Sequence, residues 1–256
     1  RIFGNFMLTD LMANDEFSST HNGTNLQEGQ ECRVRIFNKK VTANPTVLQA
    51  LKTQVYKIKE IKSDKLQSIQ NYGFIGDEFF VESRGHDDGS LKARIAREKV
   101  SQKAALQFAI SICECLKDAH DHELFLGNIK TSTIRSHKGR TVTLSDLGIT
   151  WKLASLLNAQ DPSIEVFNNL HYMAPELIES RSITKESDLY SIGCVIYELF
   201  TKVTPFEDKT SKDDIIAAHK NITPVRLLVR KPSLPADIDE IVMTFLNKDP
   251  RERVLD

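Results

Sequence analysis

The side chains that could do chemistry cluster in the middle of the chain. Leu126-Gly127-Asn128-Ile129-Lys130-Thr131-Ser132-Thr133 brings together an amide, an ammonium and hydroxyls. Asp146-Leu147-Gly148 follows, a carboxylate close to a glycine. Two more carboxylates sit in short motifs: Glu176 closes Tyr172-Met173-Ala174-Pro175-Glu176, and Asp188 opens Asp188-Leu189-Tyr190-Ser191-Ile192-Gly193. Near the amino end, Arg33 and Arg35 alternate with Cys32, Val34 and Ile36, so the two guanidinium groups share one strand face. There is no Gly-x-Ser-x-Gly elbow for a serine nucleophile. The seven histidines, His120 and His122 among them, show no HExxH or cysteine–histidine metal pattern. The inventory is therefore one of charges and hydrogen-bonding groups.

The elements that must position these groups fall into two stretches. Phe6 to Leu11 and Glu31 to Phe37 read as strands. Pro45 to Lys62 has helical periodicity with a polar outer side, where Lys57 to Lys62 is the wet face. Tyr72 to Glu82 holds two apolar runs around Gly76-Asp77, a hairpin signal. Beyond Gly89 the pattern turns helical. Ser101 to His120 is amphipathic, with Leu106, Ala109, Ile110, Cys113 and Leu116 expected on the buried stripe. Arg140 to Ser145 reads as a short strand. Leu189 to Phe200 is apolar nearly all round, as a buried helix is. Asp213 to Lys220 and Asp237 to Asn247 complete the set. A strand-rich first third followed by helices predicts an α+β fold in two lobes. The polar, glycine-bearing stretch at 82–90 is the expected hinge.

Composition narrows the class. The chain has 256 residues, 40% hydrophobic and 27% charged, with a net charge of −1. That fits a globular domain and gives no bulk attraction to nucleic acid or an acidic membrane. No uncharged stretch approaches the ~20 residues that span a bilayer, and no signal peptide is expected. The cysteines, Cys32, Cys113, Cys115 and Cys194, lack zinc spacing, which suits buried thiols in a reduced, cytoplasmic setting. The start at Arg1 and stop at Asp256 suggest a domain cut from a longer polypeptide.

Taken in order, the motifs resemble the protein kinase family, most like its bacterial-type serine/threonine members. Tyr172 to Glu176 matches the end of the activation segment and Ser187 to Gly193 the start of the buried central helix. Lys248-Asp249-Pro250-Arg251-Glu252-Arg253 matches the terminal motif, whose arginine pairs with the segment's glutamate in the family. The resemblance spans the whole chain. It implies one bilobal kinase-like domain over 1–256, with an N-lobe of about 1–82, a hinge of about 82–90 and a C-lobe of about 90–256.

At the positions where the family keeps its chemistry, this chain departs from the pattern. The glycine-rich loop maps to Met12 to Ser18, with Ala13, Asp15 and Ser18 at the glycine positions; the aromatic tip is Phe17. Side chains there obstruct the approach of backbone N–H groups to phosphates, and a solvated hairpin turn is the expected structure. Arg35 stands for the strand lysine and Gln54 for its helix glutamate, giving at most a hydrogen bond between them. Arg33 and Arg135 map above and below the adenine. Asn128 stands where the aspartate base belongs and cannot take a proton. Thr133 is a poor substitute for the second metal ligand. Lys130 remains. Asp146 either holds a single Mg²⁺ or caps a turn near Gly148. Val81 and Glu82 match the gatekeeper and first hinge residue. Thr150, Ser155 and Ser163 lie in the activation segment, as phosphate acceptors or as solvated loop residues.

The scaffold positions are kept: Ile58, Leu126 and Leu147 match the hydrophobic spine, and Asp188 can tie down the catalytic-loop backbone. The resemblance thus implies a non-enzyme, a pseudokinase that acts as a protein-interaction scaffold or allosteric regulator in signalling. Its partners would be proteins, such as an active kinase or other domains of a longer chain, met through Ile149 to Met173 or the Asp213–Lys220 helix. No cofactor or metal is expected on that reading. The alternatives are an ATP-binding sensor without turnover and a divergent serine/threonine kinase with residual phosphotransfer. ATP and Mg²⁺ enter only under those, at Arg35, Val81, Glu82, Lys130 and Asp146.

Overall fold

The computed structural model describes residues 1–85, 87–98, 100–161 and 169–253. In chain order the elements are β1 (Ile2–Phe3), β2 (Phe6–Asn14), β3 (Ser18–Asn25), β4 (Gln30–Phe37), α1 (Lys39–Thr42), α2 (Pro45–Glu60), β5 (Ile69–Ile75) and β6 (Glu78–Arg84). There follow α3 (Leu91–Arg97), α4 (Gln102–Asp121), β7 (Ile134–Ser136), β8 (Val142–Leu144) and α5 (Ile149–Gln160). The remainder is helical: α6 (Pro175–Ser180), α7 (Lys185–Thr201), α8 (Lys212–Asn221), α9 (Leu227–Arg230) and α10 (Ala236–Phe245). The fold is α+β, a β-rich N-lobe and a helical C-lobe.

The chain divides into two compact units. The first holds Arg1–Asp87 and the segment opening at Ile149, which carries α5. Its antiparallel sheet has the order β1-β2-β3-β4-β6-β5. One sheet face buries Phe3, Phe6, Leu8, Cys32, Val34, Ile36 and Phe80. That places the alternating apolar residues of β4 together, as the pattern predicts. Helix α2 opens at Asn44, whose side chain caps the Val47 N–H, with Pro45 in the first turn. It buries Val47, Leu51, Val55 and Ile58 and packs on both β5 and α5.

The second unit holds Asp88–Gly148 and the chain from α6 onward. Helix α7 runs through its core, with thirteen of its seventeen residues buried. A Thr184–Ser187 capping box starts it, and α4 and α10 pack against it. Gly193 permits the close approach of α10: a Cβ there would lie 2.9 Å from Phe245 Cβ.

Three local expectations need correction. On α4, Leu106 and Ile110 are exposed, and the buried residues are Ala104, Ala105, Phe108, Ala109, Ile112, Cys115, Leu116 and Ala119. The helix is apolar on more than one face. The small alanines let α7 and β8 approach that side, and the Cys115 thiol reaches the Val142 carbonyl at 3.3 Å. The tip between β2 and β3 is solvated at Asn14 and Glu16 but not throughout, because Phe17 and Ser18 are buried. Thr150 is not a solvated loop residue either. It is buried in α5, and the Ser155 hydroxyl is buried too. Trp151, Leu153, Ala154 and Leu157 give α5 an apolar face that needs cover. Ser163 lies outside the described residues.

Candidate functional site

In the small unit the site centres on Arg35, which faces Thr20 on β3 and Val81 on β6. Its Nε donates to Ser18 Oγ at 2.8 Å, and one terminal nitrogen donates to Asp15 Oδ2 at 3.2 Å and Thr150 Oγ1 at 2.8 Å. The guanidinium also lies over the Phe37 ring, 5.0 Å from its centroid. Asp15 takes the N–H groups of Phe17 and Ser18 on Oδ1, both at 2.8 Å. Glu16 pairs with Lys40 at 2.7 Å, and the Asn38 amide donates to the Glu16 carbonyl at 2.7 Å. The tip is therefore stapled to the corner between β4 and α1.

Arg33 lies on the same strand face and is nearly dry. It meets Asp87 at 2.8 Å, with the two side chains 7% and 5% exposed. A guanidinium so desolvated demands such a partner. Glu82 is buried and accepts from the Asn25 amide at 2.9 Å, while Val81 is buried within β6. The Gln54 carbonyl receives the Lys152 ammonium at 3.4 Å, from α5.

In the helical unit, Asp188 organises the loop after α4. Its two carboxylate oxygens each accept a backbone N–H, from Leu126 and Gly127, at 2.9 Å. His120 closes the group with Nε2 3.0 Å from Asp188 Oδ2. Asn128 is brought to Asp146, donating its amide to Oδ2 at 2.9 Å. Asn128 Oδ1 is buried and finds no partner among the described residues. The Thr133 hydroxyl is used on the loop itself. It accepts the Lys130 N–H at 3.1 Å and lies 3.0 Å from the carbonyls of Asn128 and Lys130. Arg135 is buried in β7 opposite Thr143. Asp146 and Leu147 both have positive φ, 71° and 42°, ahead of Gly148 at 80°. Two non-glycine residues in the left-handed region mark a strained turn of the kind that gathers at functional sites.

The terminal motif forms the pair that the sequence implies. Fully buried Arg253 meets Glu176 through two nitrogens, at 2.5 and 2.9 Å, and also donates to the Glu186 and Asn247 carbonyls. This bidentate arrangement is the strong form of such a pair. Among the described residues, no group of three or more His, Cys, Asp or Glu side chains could hold a metal ion. No helix among them is long and apolar enough to cross a membrane.

Sequence reasoning missed His120 and the partners of Arg35. His120 could have been found as a titratable group in the last turn of a helix leading into the loop that Asp188 holds. The Arg35 partners carried a weaker signal, an acidic residue in a tight turn opposite a strand arginine.

With this geometry in place, the family assignment is direct. Residues 12–255 match the family model "Protein kinase domain", and the chain belongs to that family. Among curated proteins it is 28% identical over 156 residues to the serine/threonine-protein kinase PknB of Mycobacterium tuberculosis, covering 60% of this chain and 24% of that one. It is 22% identical over 254 residues to the serine/threonine-protein kinase PrkC of Bacillus subtilis, covering 99% of this chain and 39% of that one. The chain thus spans between a quarter and two fifths of these relatives. A crystal structure of Rad53 residues 1–466 in complex with AMP-PNP matches with a TM-score of 0.79 at 16% identity. It covers 98% of this chain and 62% of that one, which shows the fold.

The expectation of a non-enzyme is overturned by these findings. A kinase-domain match across nearly the whole chain, with relatives named as serine/threonine kinases, points to a protein kinase family. The expectation gave too much weight to single positions. Phosphoryl transfer rests mainly on positioning and electrostatics shared among many groups, so losing one base costs a factor in rate rather than the fold.

Proposed function

We propose that this chain is a divergent serine/threonine protein kinase domain, moving a phosphoryl group from ATP to a protein hydroxyl with a reduced catalytic set. The observation that carries the reading is the loop geometry. Asp188 and His120 fix the backbone that presents Asn128, and Asn128 is hydrogen-bonded to Asp146. Asp146 is the oxygen ligand suited to a hard cation such as Mg²⁺. Such a cation, when bound, offsets the charge on the phosphates. Asn128 cannot take the proton of a serine or threonine hydroxyl, and its amide holds the Asp146 carboxylate in place. Lys130, in the same loop, supplies positive charge. The Thr133 hydroxyl is used within the loop itself. On this reading the protein partner is the substrate, with other domains of a longer chain as further candidates.

The absent base costs about 10²–10⁴ in rate, so turnover is expected to be slow. The test is transfer of labelled phosphate from Mg-ATP to a generic serine/threonine-rich protein. Wild type should exceed the Asp146→Ala background, and Asn128→Asp should raise the rate by about 10²-fold or more. Wild type and Asn128→Asp both indistinguishable from Asp146→Ala would overturn the reading.

A further inference from the structure

The tip of the β2–β3 hairpin is built like an anion site with its anion already in place. Two consecutive backbone N–H groups, from Phe17 and Ser18, point at one oxygen atom. The Ser18 hydroxyl lies 3.1 and 3.2 Å from the two carboxylate oxygens, and the Arg35 guanidinium closes the other side. Backbone donors, a hydroxyl and an arginine are the donor set that proteins use for phosphate. The group they hold is the carboxylate of Asp15, from the same turn. Burial of Phe17 and the Asn38 amide on the Glu16 carbonyl hold the tip in this closed form.

We propose that Asp15 is a tethered stand-in for phosphate, an internal competitor that an incoming phosphate or pyrophosphate group must displace from the Phe17, Ser18 and Arg35 donors. A tethered anion competes at high effective concentration, so wild type binds a free anion weakly here. Removing the Asp15 charge leaves the donors without their anion and exposes the latent site. Thr150 Oγ1 stays on Arg35 and keeps the guanidinium aimed. The inference rests on the kinase reading only for the natural ligand, a nucleotide phosphate. Its test reads anion binding and not turnover, so either can fail while the other stands.

The probe is inorganic pyrophosphate, titrated calorimetrically without Mg²⁺ into the whole 256-residue domain. Asp15→Asn should bind it about ten-fold or more tightly than wild type, the effect of freeing one charge-assisted pair. Adding Arg35→Gln should abolish that gain. Glu16→Gln removes the same charge one residue away and should leave affinity near wild type. The proposal is overturned if folded Asp15→Asn binds no more tightly, if Glu16→Gln gains as much, or if the gain survives Arg35→Gln. Asp15→Ala provides a second route should Asp15→Asn not fold. It removes the carboxylate and its acceptor atoms together, keeps the Ser18 and Arg35 donors, and should tighten pyrophosphate binding at least as much. An unchanged affinity there also overturns the proposal.

Discussion

At the scale of single residues, the chain keeps costly buried polar groups. His219 is fully buried, with Nδ1 2.9 Å from the Tyr190 hydroxyl and the Phe206 ring edge-on at 4.9 Å. Burial, the nearby Lys248 ammonium and His171 lower its pKa to about 3. In the unfolded chain it titrates near its ordinary value of about 6.5. Its contribution to stability is therefore fully present above pH 6.5. It is lost as pH falls below that, at up to about 1.4 kcal/mol per pH unit. His21, also lowered, acts in the same direction. Urea titrations between pH 7 and 5 should show the loss, and His219→Leu should flatten it. An unchanged slope would mean that His219 takes its proton in place. Glu176→Ala should cost about 3 kcal/mol in the same measurement, because it strands the buried Arg253 charge.

At the scale of elements, legibility followed the strength of each pattern. The helix of β-lobe residues Pro45–Glu60 announced itself through its proline start and its spaced apolar positions. Buried α7 did so through an apolar run too long for a strand. Strand β3 did not, because Ser18 to Asn25 is polar throughout and owes its conformation to pairing with β2 and β4 on either side. Helix α5 was hidden differently. Its residues are apolar enough to fold, yet the family motif assigned them to a loop, and tertiary cover from α2 decided the matter. The α4 stripe was misplaced by a rotation of the helix, since Ile110 and Ile112 are equally apolar and only packing tells them apart. The contact between α7 and α10 gives a clear test. Gly193→Ala forces a methyl against Phe245 and Leu246, and overpacking of this kind costs about 1–3 kcal/mol. Thermal unfolding should show the loss.

At the scale of the whole molecule, class and fold were legible because motifs far apart in the chain, at Asp146, Glu176, Asp188 and Arg253, kept their spacing. The active-site chemistry was less so. Sequence showed which groups are present, but not that Asp15 would face Arg35 or that Asn128 would face Asp146. Those contacts depend on a collapsed turn and a strained one. The molecule's balance of charge carries its own expectation. With a sequence pI near 6.7, the domain should self-associate most readily near that pH, where net repulsion vanishes. Light scattering across pH 5.5 to 8.5 should peak there.

The Arg253–Glu176 pair also sets an order of events during synthesis. Glu176 leaves the ribosome long before its partner, and the carbonyls of Glu186 and Asn247 wait for the same guanidinium. The β-rich unit waits too, since the face of α2 that α5 covers stays bare until residues 149–160 emerge. Neither unit can close in the order in which its chain is made. Nascent chains stalled before residue 253 should therefore remain protease-sensitive through α7, and become resistant only once that last arginine is free to reach back.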